Sequence, residues 1–376
     1  MRVKRFFTMV LVASVLLSGC QKGKDQTGED KETTTASTEA TTLAPTFTPT
    51  PTYTPTPTPT PTPKIENISN NKEGHYTFNP HVFGSKHLET FGDEKCQAFF
   101  RFCDAVRNGE DTFDCPDDDT YGWCIGNFSF GFCPLASVYV VTGNSIGEVE
   151  YENGKGKIFY TIPKEEYLEK QKKFEKDIED VLNDCLSDDY SDFEKALALY
   201  EYMTKNFKYD YSKLENLVDR SDELSVYRCL NEKQGICCEL ASLYSYLLLQ
   251  AGVDSNEIGG FIDDGDGTGD AHSWVFVTID GQSYHIDPTW GGGYECTPLN
   301  YFMMTDELRE TRDNAPTKEY QIGGQGDESR KNLKFEATDD KYSDLWDGLY
   351  LGMNREEHYV LYEDKSGAKK EFHYAA

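Results

Sequence analysis

The sequence predicts a mixed α+β fold, on three observations. Helical periodicity recurs in four segments, 93–108, 164–186, 191–206 and 240–250. A two-residue Asp280-Gly281 turn joins two β-rich runs, Ser273 to Ile279 and Gln282 to Asp287. A second turn-linked pair, His358 to Tyr362 and Lys370 to Tyr374 through Lys365-Ser366-Gly367, closes the chain.

The first residues stand outside that fold. Three positive charges, Arg2, Lys4 and Arg5, precede an apolar run from Phe6 to Leu17 that is too short to span a bilayer. This reads as an export signal over 1–19. Leu17-Ser18-Gly19-Cys20 resembles a bacterial lipobox, which makes Cys20 the expected lipidation site. Residues 20–66 read as a tether, with Thr and Pro alternating through Thr46 to Pro63. In polyproline II form about 45 such residues reach ~140 Å. The expected placement is lipid-anchored at a bacterial cell membrane, with the domain facing the cell wall or exterior.

Formal net charge is −29, and −32 without the three basic residues of the leader. An acidic surface argues against nucleic-acid partners and against electrostatic docking on anionic lipid. Acyl chains on Cys20 would supply the membrane attachment instead. Eleven cysteines leave nine once Cys20 and Cys237 are set aside, an odd number that rules out complete disulfide pairing. Most are expected as small core residues, and no CxxC pair supports a zinc site.

Order is expected from about Asn70, with an N-terminal α+β region over 67–190. In the helix 93–108, Cys96, Phe99, Phe100, Cys103 and Val106 share one face. Cys96 and Cys103 sit about two turns apart on it, too far to bond each other. Cys115, Cys124 and Cys133 recur at nine-residue intervals in a Gly- and aromatic-rich segment. Strands are expected at Ser137–Thr142 and Gly147–Tyr151, then a hairpin turn at 152–156 into Lys157–Ile162. The helix from Lys164 carries Tyr167, Phe174, Ile178, Val181, Leu182 and Cys185 on its apolar stripe. Ser191 to Glu194 is a capping box that opens the next helix. Further on, Tyr301–Met304 reads as a short strand, Thr305 to Leu308 as a helix start, and 323–329 as loop. An extension over 311–376 is expected to pack its hairpin on the core.

Chemistry concentrates between Tyr227 and Trp290. Gly235 precedes Ile236-Cys237-Cys238, and the helical run beyond places Cys237 in a first turn, where free N–H groups and the helix dipole favour a thiolate. Cys238 lies about 100° round the helix and aims elsewhere. With the Asp280-Gly281 turn, Ile279 faces Gln282, so His272 has Asp287 as its diagonal neighbour on one sheet face. A slip of one residue would put them on opposite faces. Trp274 faces Asp287 and is expected to wall the site. His285 reads as packing or surface, and Trp290 as either a cleft edge or core. The acidic run Asp263 to Asp270 departs from a calcium loop, with Thr268 and Val275 where ligands belong, and reads as solvated loop.

Gly235-x-Cys237-x-x-x-Ala241, His272-x-Trp274 and Asp287-Pro288-Thr289 together resemble the Cys-His-Asp signature of the transglutaminase-like superfamily, especially its exported bacterial members. The likeness extends to Tyr209-Asp210-Tyr211, Tyr227, Leu230 and Tyr301 to Glu307, and spans roughly 191–310. It implies a papain-like core in which the cysteine helix packs on an antiparallel sheet carrying His272 and Asp287. It also implies Cys237 rather than Cys238 as nucleophile, and Tyr227 as a second oxyanion donor beside the Cys237 N–H. Trp274 joins Tyr227 as an oxyanion or substrate-binding candidate. The expected activity is thiol-dependent acyl transfer or hydrolysis at peptide or protein amides, with no cofactor or metal. The alternative is a surface binding or adhesion module that kept the fold and lost turnover.

Overall fold

The computed structural model describes residues 71–72, 75–215, 224–263, 269–292, 296–311, 321–322 and 335–375. The leader, Cys20 and the tether therefore lie outside the described residues, as do the acidic loop 264–268 and the expected loop 323–329. No described helix is long and apolar enough to cross a membrane.

The helix Cys237–Gln250 is the centre of the fold. Thirteen of its fourteen residues are buried, which is why its apolar positions show so little sidedness. It packs on the strands Asp254–Asp263 and Gly269–Ile279 and on the helices Asp192–Asn206 and Val226–Glu232. Ser245 and Ser255 bind each other through their hydroxyls at 2.9 Å, and the Ser255 hydroxyl donates to the Ser245 carbonyl at 2.8 Å. These bonds satisfy polar groups that the helix–sheet contact would otherwise strand.

The main sheet is antiparallel, in the order Gln282–Ile286, Gly269–Ile279, Asp254–Asp263, Gln321–Ile322. Asp280 and Gly281 both take positive φ, 53° and 74°, as a type I′ turn requires, and Ile279 faces Gln282. The register expected from the turn is the register of the hairpin. Val275 and Val277 join the main core, whereas Trp274 and Phe276 turn to a second cluster with Ile258, Phe335 and Ala337. This is the mixed helix and antiparallel-sheet architecture expected from the sequence.

Upstream, the helix Lys164–Cys185 buries Tyr167, Phe174, Ile178 and Leu182, and the helix Asp192–Asn206 opens on the expected box. The Ser191 N–H donates to the Glu194 carboxylate at 2.7 Å, and the Glu194 N–H donates back to Ser191 Oγ at 3.3 Å. The first long helix runs Ser85–Arg107, starting earlier than expected because a break at Gly92 (φ 77°) joins two helical pieces. Cys96, Cys103, Cys115, Cys124, Cys133 and Cys229 are buried thiols.

Between these helices the sequence reading needs correction. Ala136–Tyr139 is a helical turn and only Val140–Val141 is strand; Gly143–Ile146 is 3-10 helix, and of the strand expected over Gly147–Tyr151 only Tyr151 pairs. A hairpin does occur, but its strands are Tyr151–Glu152 and Lys155–Lys157 around Asn153-Gly154. Alternating apolar residues in short runs fit either structure, and the surrounding packing decides. Tyr301–Met304 is also not a strand: Met303 has φ 55°, and only the single bridge between Met304 and His285 forms. The helix after it is present at Asp306–Thr311. At the C-terminus, Tyr359–Glu363 pairs with Lys369–His373 as expected, within a second sheet that adds Leu349–Asn354 and Thr297–Pro298. All described residues fall in one compact unit.

Candidate active site

Cys237 is the first residue of the central helix and is almost wholly shielded, at 4% exposure. Its position is fixed by a buried ionic cluster one turn away. Arg228 reaches Glu239 with two nitrogens, one at 3.0 Å, and binds Asp210 at 3.0 Å. Glu239 also accepts the N–H groups of Ser225 at 2.9 Å and Ile236 at 3.1 Å. Such a cluster holds geometry rather than adding stability, since desolvation offsets most of the attraction. It ties the helix start to the short parallel pair Lys208–Tyr209 and Gln234–Gly235. Gly235 is needed there, because a Cβ would lie 2.9 Å from Cys229 Sγ and 3.1 Å from Glu239 Cβ.

His272 and Asp287 meet as the hairpin register requires. His272 Nε2 donates to Asp287 Oδ2 at 2.7 Å, with both side chains buried. The Cys237 side chain lies close enough to His272 to act on its charge. Asp287 Oδ1 accepts the N–H groups of Thr289 at 3.0 Å and Trp290 at 3.1 Å, so both carboxylate oxygens are occupied. Burial works against the imidazolium, but Asp287 and then Cys237 outweigh it, and His272 is raised to about 9. Burial likewise works against the Asp287 carboxylate; His272 and Arg309 overcome it and hold the group below the usual range. Cys237, His272 and Asp287 are thus brought together in one contiguous row.

The other sequence candidates fall differently. The Tyr227 ring lies edge-on to Tyr139 at 6.1 Å and to Phe174 of the long helix at 5.9 Å. Tyr209 stands nearer the nucleophile, in the strand pair that leads into Cys237. It lies close enough to Cys237 to be acted on: burial first, and the Cys237 charge after it, raise its pKa. The Tyr209-Asp210-Tyr211 motif was the available signal. Trp274 does not line a cleft, being fully buried, with Nε1 donating to His285 Nδ1 at 2.9 Å.

His285 is neither surface nor simple packing. Its Nε2 donates to Asp306 Oδ1 at 2.8 Å, and burial keeps it neutral, below its ordinary value. The chain Asp306–His285–Trp274 fixes the indole on which His272 stacks at 5.9 Å. Trp290, half-buried, covers the other side of His272 at 4.6 Å and 11°. The Arg309 guanidinium lies 4.3 Å from the Trp274 ring and 4.7 Å from the Trp290 ring, and 4.0 Å from Asp287. Nothing in the sequence pattern pointed to Arg309, because it comes from a helix outside the hairpin.

Residues 179–288 match the family model of the transglutaminase-like superfamily, a segment ending one residue past Asp287. That segment is a transglutaminase-like core. Among solved structures, the chain is similar to a TGase at 15% identity, TM-score 0.29, over 49% of this chain and 47% of that one. It is similar to a structure described as a candidate cysteine protease from Cytophaga hutchinsonii at 15% identity, TM-score 0.22, over 39% and 48%. An arylamine-N-acetyltransferase from M. tuberculosis aligns at 17% identity, TM-score 0.24, over 47% and 79%. The chain spans about half the length of the first two structures. No curated protein matches.

The His272 shift predicts how stability depends on pH. Its folded value, about 9, lies above the unfolded value near 6.5, so the His272–Asp287 pair stabilises fully below about pH 6.5 and loses that contribution as pH rises to 9. Urea unfolding should show a decline on the order of 3 kcal/mol over that window. His272→Asn should flatten this part of the profile; a decline retained in the variant would assign it to other groups.

Proposed function

We propose that the chain is a thiol enzyme that transfers or hydrolyses acyl groups of peptide or protein amides. The observation that carries this reading is the buried imidazole of His272, bound by Asp287 at Nε2 and close enough to the Cys237 thiol to be charged by it. A binding module has no use for a desolvated base between a thiol and a carboxylate. Each further group near it, Arg309, Trp274 and Trp290, acts on the orientation or charge of that base.

The Cys237 thiolate attacks the amide carbonyl carbon. As the tetrahedral adduct collapses, the C–N bond breaks and the leaving amine takes a proton from His272. The second substrate, an amine or water, attacks the thioester carbonyl and gives a proton to His272. The C–S bond breaks and the thiolate returns. Asp287 keeps the imidazole oriented and supports its charge through both steps. The Cys237 N–H and the hydroxyl of Tyr209, which neighbours Cys237, would serve as the two oxyanion donors in this mechanism.

Iodoacetamide alkylation across pH tests the activated thiol. Cys237 should react near pH 6 well ahead of Cys96 and Cys115, whose burial pushes them to about 12 and about 11. Asp287→Asn should lower turnover on the order of 10⁴-fold. Incubation with a labelled primary amine and a peptide library then separates transfer, read as incorporated label, from hydrolysis, read as shortened peptides. Neither product, with Cys237 no more reactive than an ordinary thiol, would support the binding module.

Lipidation at Cys20, with the Thr/Pro tether, would place this enzyme at the cell surface. Cys20→Ser should move the protein from the membrane fraction to the soluble fraction; retention of the variant in membranes would remove the anchor from this reading.

A further inference from the structure

Behind the His272–Asp287 pair stands a second histidine whose protonation state is fixed by what it binds. His285 lies on the strand Gln282–Ile286, and its backbone is pinned to Met304 by two hydrogen bonds, at 2.9 and 2.8 Å. Its ring is wholly buried and is bound at both nitrogens. Trp274 Nε1 donates to Nδ1 at 2.9 Å, and Nε2 meets Asp306 Oδ1 at 2.8 Å. An indole N–H can only donate, so Nδ1 is the bare nitrogen and Nε2 carries the proton. The geometry therefore demands a neutral ring. Burial, helped by the Arg309 charge, favours that state against the pull of Asp306.

A second proton would break one of these bonds and keep the other. It can go only on Nδ1, which then faces the Trp274 N–H donor against donor. The backbone of His285 is held by Met304, and the bond from Nε2 to the Asp306 carboxylate gains charge assistance. The indole is left as the group that must move. Trp274 is fully buried, so its N–H would lose this acceptor away from water. That movement reaches the base directly. Trp274 stacks on His272 at 5.9 Å and 18°, with Trp290 stacked on the same ring at 4.6 Å and 11°. Arg309, which lies 4.0 Å from Asp287, rests against both indoles.

We propose that His285 is a positioning residue for His272, and that a proton on its Nδ1 sets the acid end of the enzyme's working range. The inference rests on the Cys237–His272–Asp287 reading and adds to it a group that never meets the substrate. Among the described residues, the charged groups that act on His285 are Asp306 and Arg309, both from the helix Asp306–Thr311. The strand Gly269–Ile279 faces it with Trp274 and Phe276, and the Phe335 ring packs on Phe276. Above the His285 transition Trp274 is held and His272 is in place; below it the indole is released.

The test follows alkylation of Cys237 by iodoacetamide in the full chain from neutral into acid pH, each profile scaled to its own neutral plateau. Near-UV circular dichroism of the same samples follows packing, and NMR follows the His285 ring and the Trp274 indole N–H. The native chain should lose reactivity in acid with the dependence of a single proton while its packing persists. The Trp274 signal should change with the same midpoint. Asp306→Asn keeps an acceptor for Nε2 but removes the charge that favours the second proton, so the midpoint should move to lower pH by about one unit or more. His285→Gln has no ring to titrate and should abolish this fall. A merely structural role would lower reactivity at every pH and leave the scaled midpoint where it was. That result in either variant that folds overturns the proposal. So does a native chain with no acid-side fall, or one whose fall coincides with loss of the near-UV signal. Failure of the nucleophile reading looks different: Cys237 would react no faster than an ordinary thiol at neutral pH, while the shared midpoint of His285 and Trp274 would still be read by NMR.

Discussion

The hydrogen bond between His272 Nε2 and Asp287 Oδ2 is the interaction on which the rest of this molecule depends. Both groups are removed from water, and an ion pair in that setting is favourable only with good geometry and with every remaining lone pair occupied. The structure meets both conditions. The Asp280-Gly281 turn sets the register that places the two side chains diagonally. Asp287 then spends its second oxygen on two backbone N–H groups of the turn that follows. The charge is balanced from outside by Arg309, seated between two indoles.

A second Asp–His pair stands behind the first and acts differently. His285 is fully buried next to the Arg309 charge, so it stays neutral and serves as a connector, receiving from Trp274 and donating to Asp306. Two histidines thirteen positions apart, on adjacent strands, are pushed in opposite directions: for His272 the buried carboxylate and the thiol outweigh burial, whereas for His285 burial, helped by Arg309, outweighs the pull of Asp306. That divergence separates the acid–base group from the supporting group.

Local signals carried much of this into the sequence. The register of the hairpin follows from two turn residues, the helix start at Cys237 from its flanking glycine, and the box at Ser191 from four residues. What was not legible is what tertiary packing decides. Tyr209 and Tyr227 are both tyrosines upstream of Cys237. The short parallel pairing of Tyr209 with Gly235 sets Tyr209 near Cys237. Arg309 arrives from a helix after the sheet, so no spacing rule could have placed it over Trp274. The segment 136–160 folds into short mixed elements because its apolar residues serve surrounding helices rather than a sheet face of its own.

The central claim is that His272 is held as an imidazolium between Asp287 and Cys237. Its ring proton chemical shifts, followed by NMR in the folded chain, test that state directly. The account expects the imidazole to titrate near pH 9 and to move to lower pH when Cys237 is replaced by alanine. Titration near the ordinary value of about 6.5 in both proteins would contradict it.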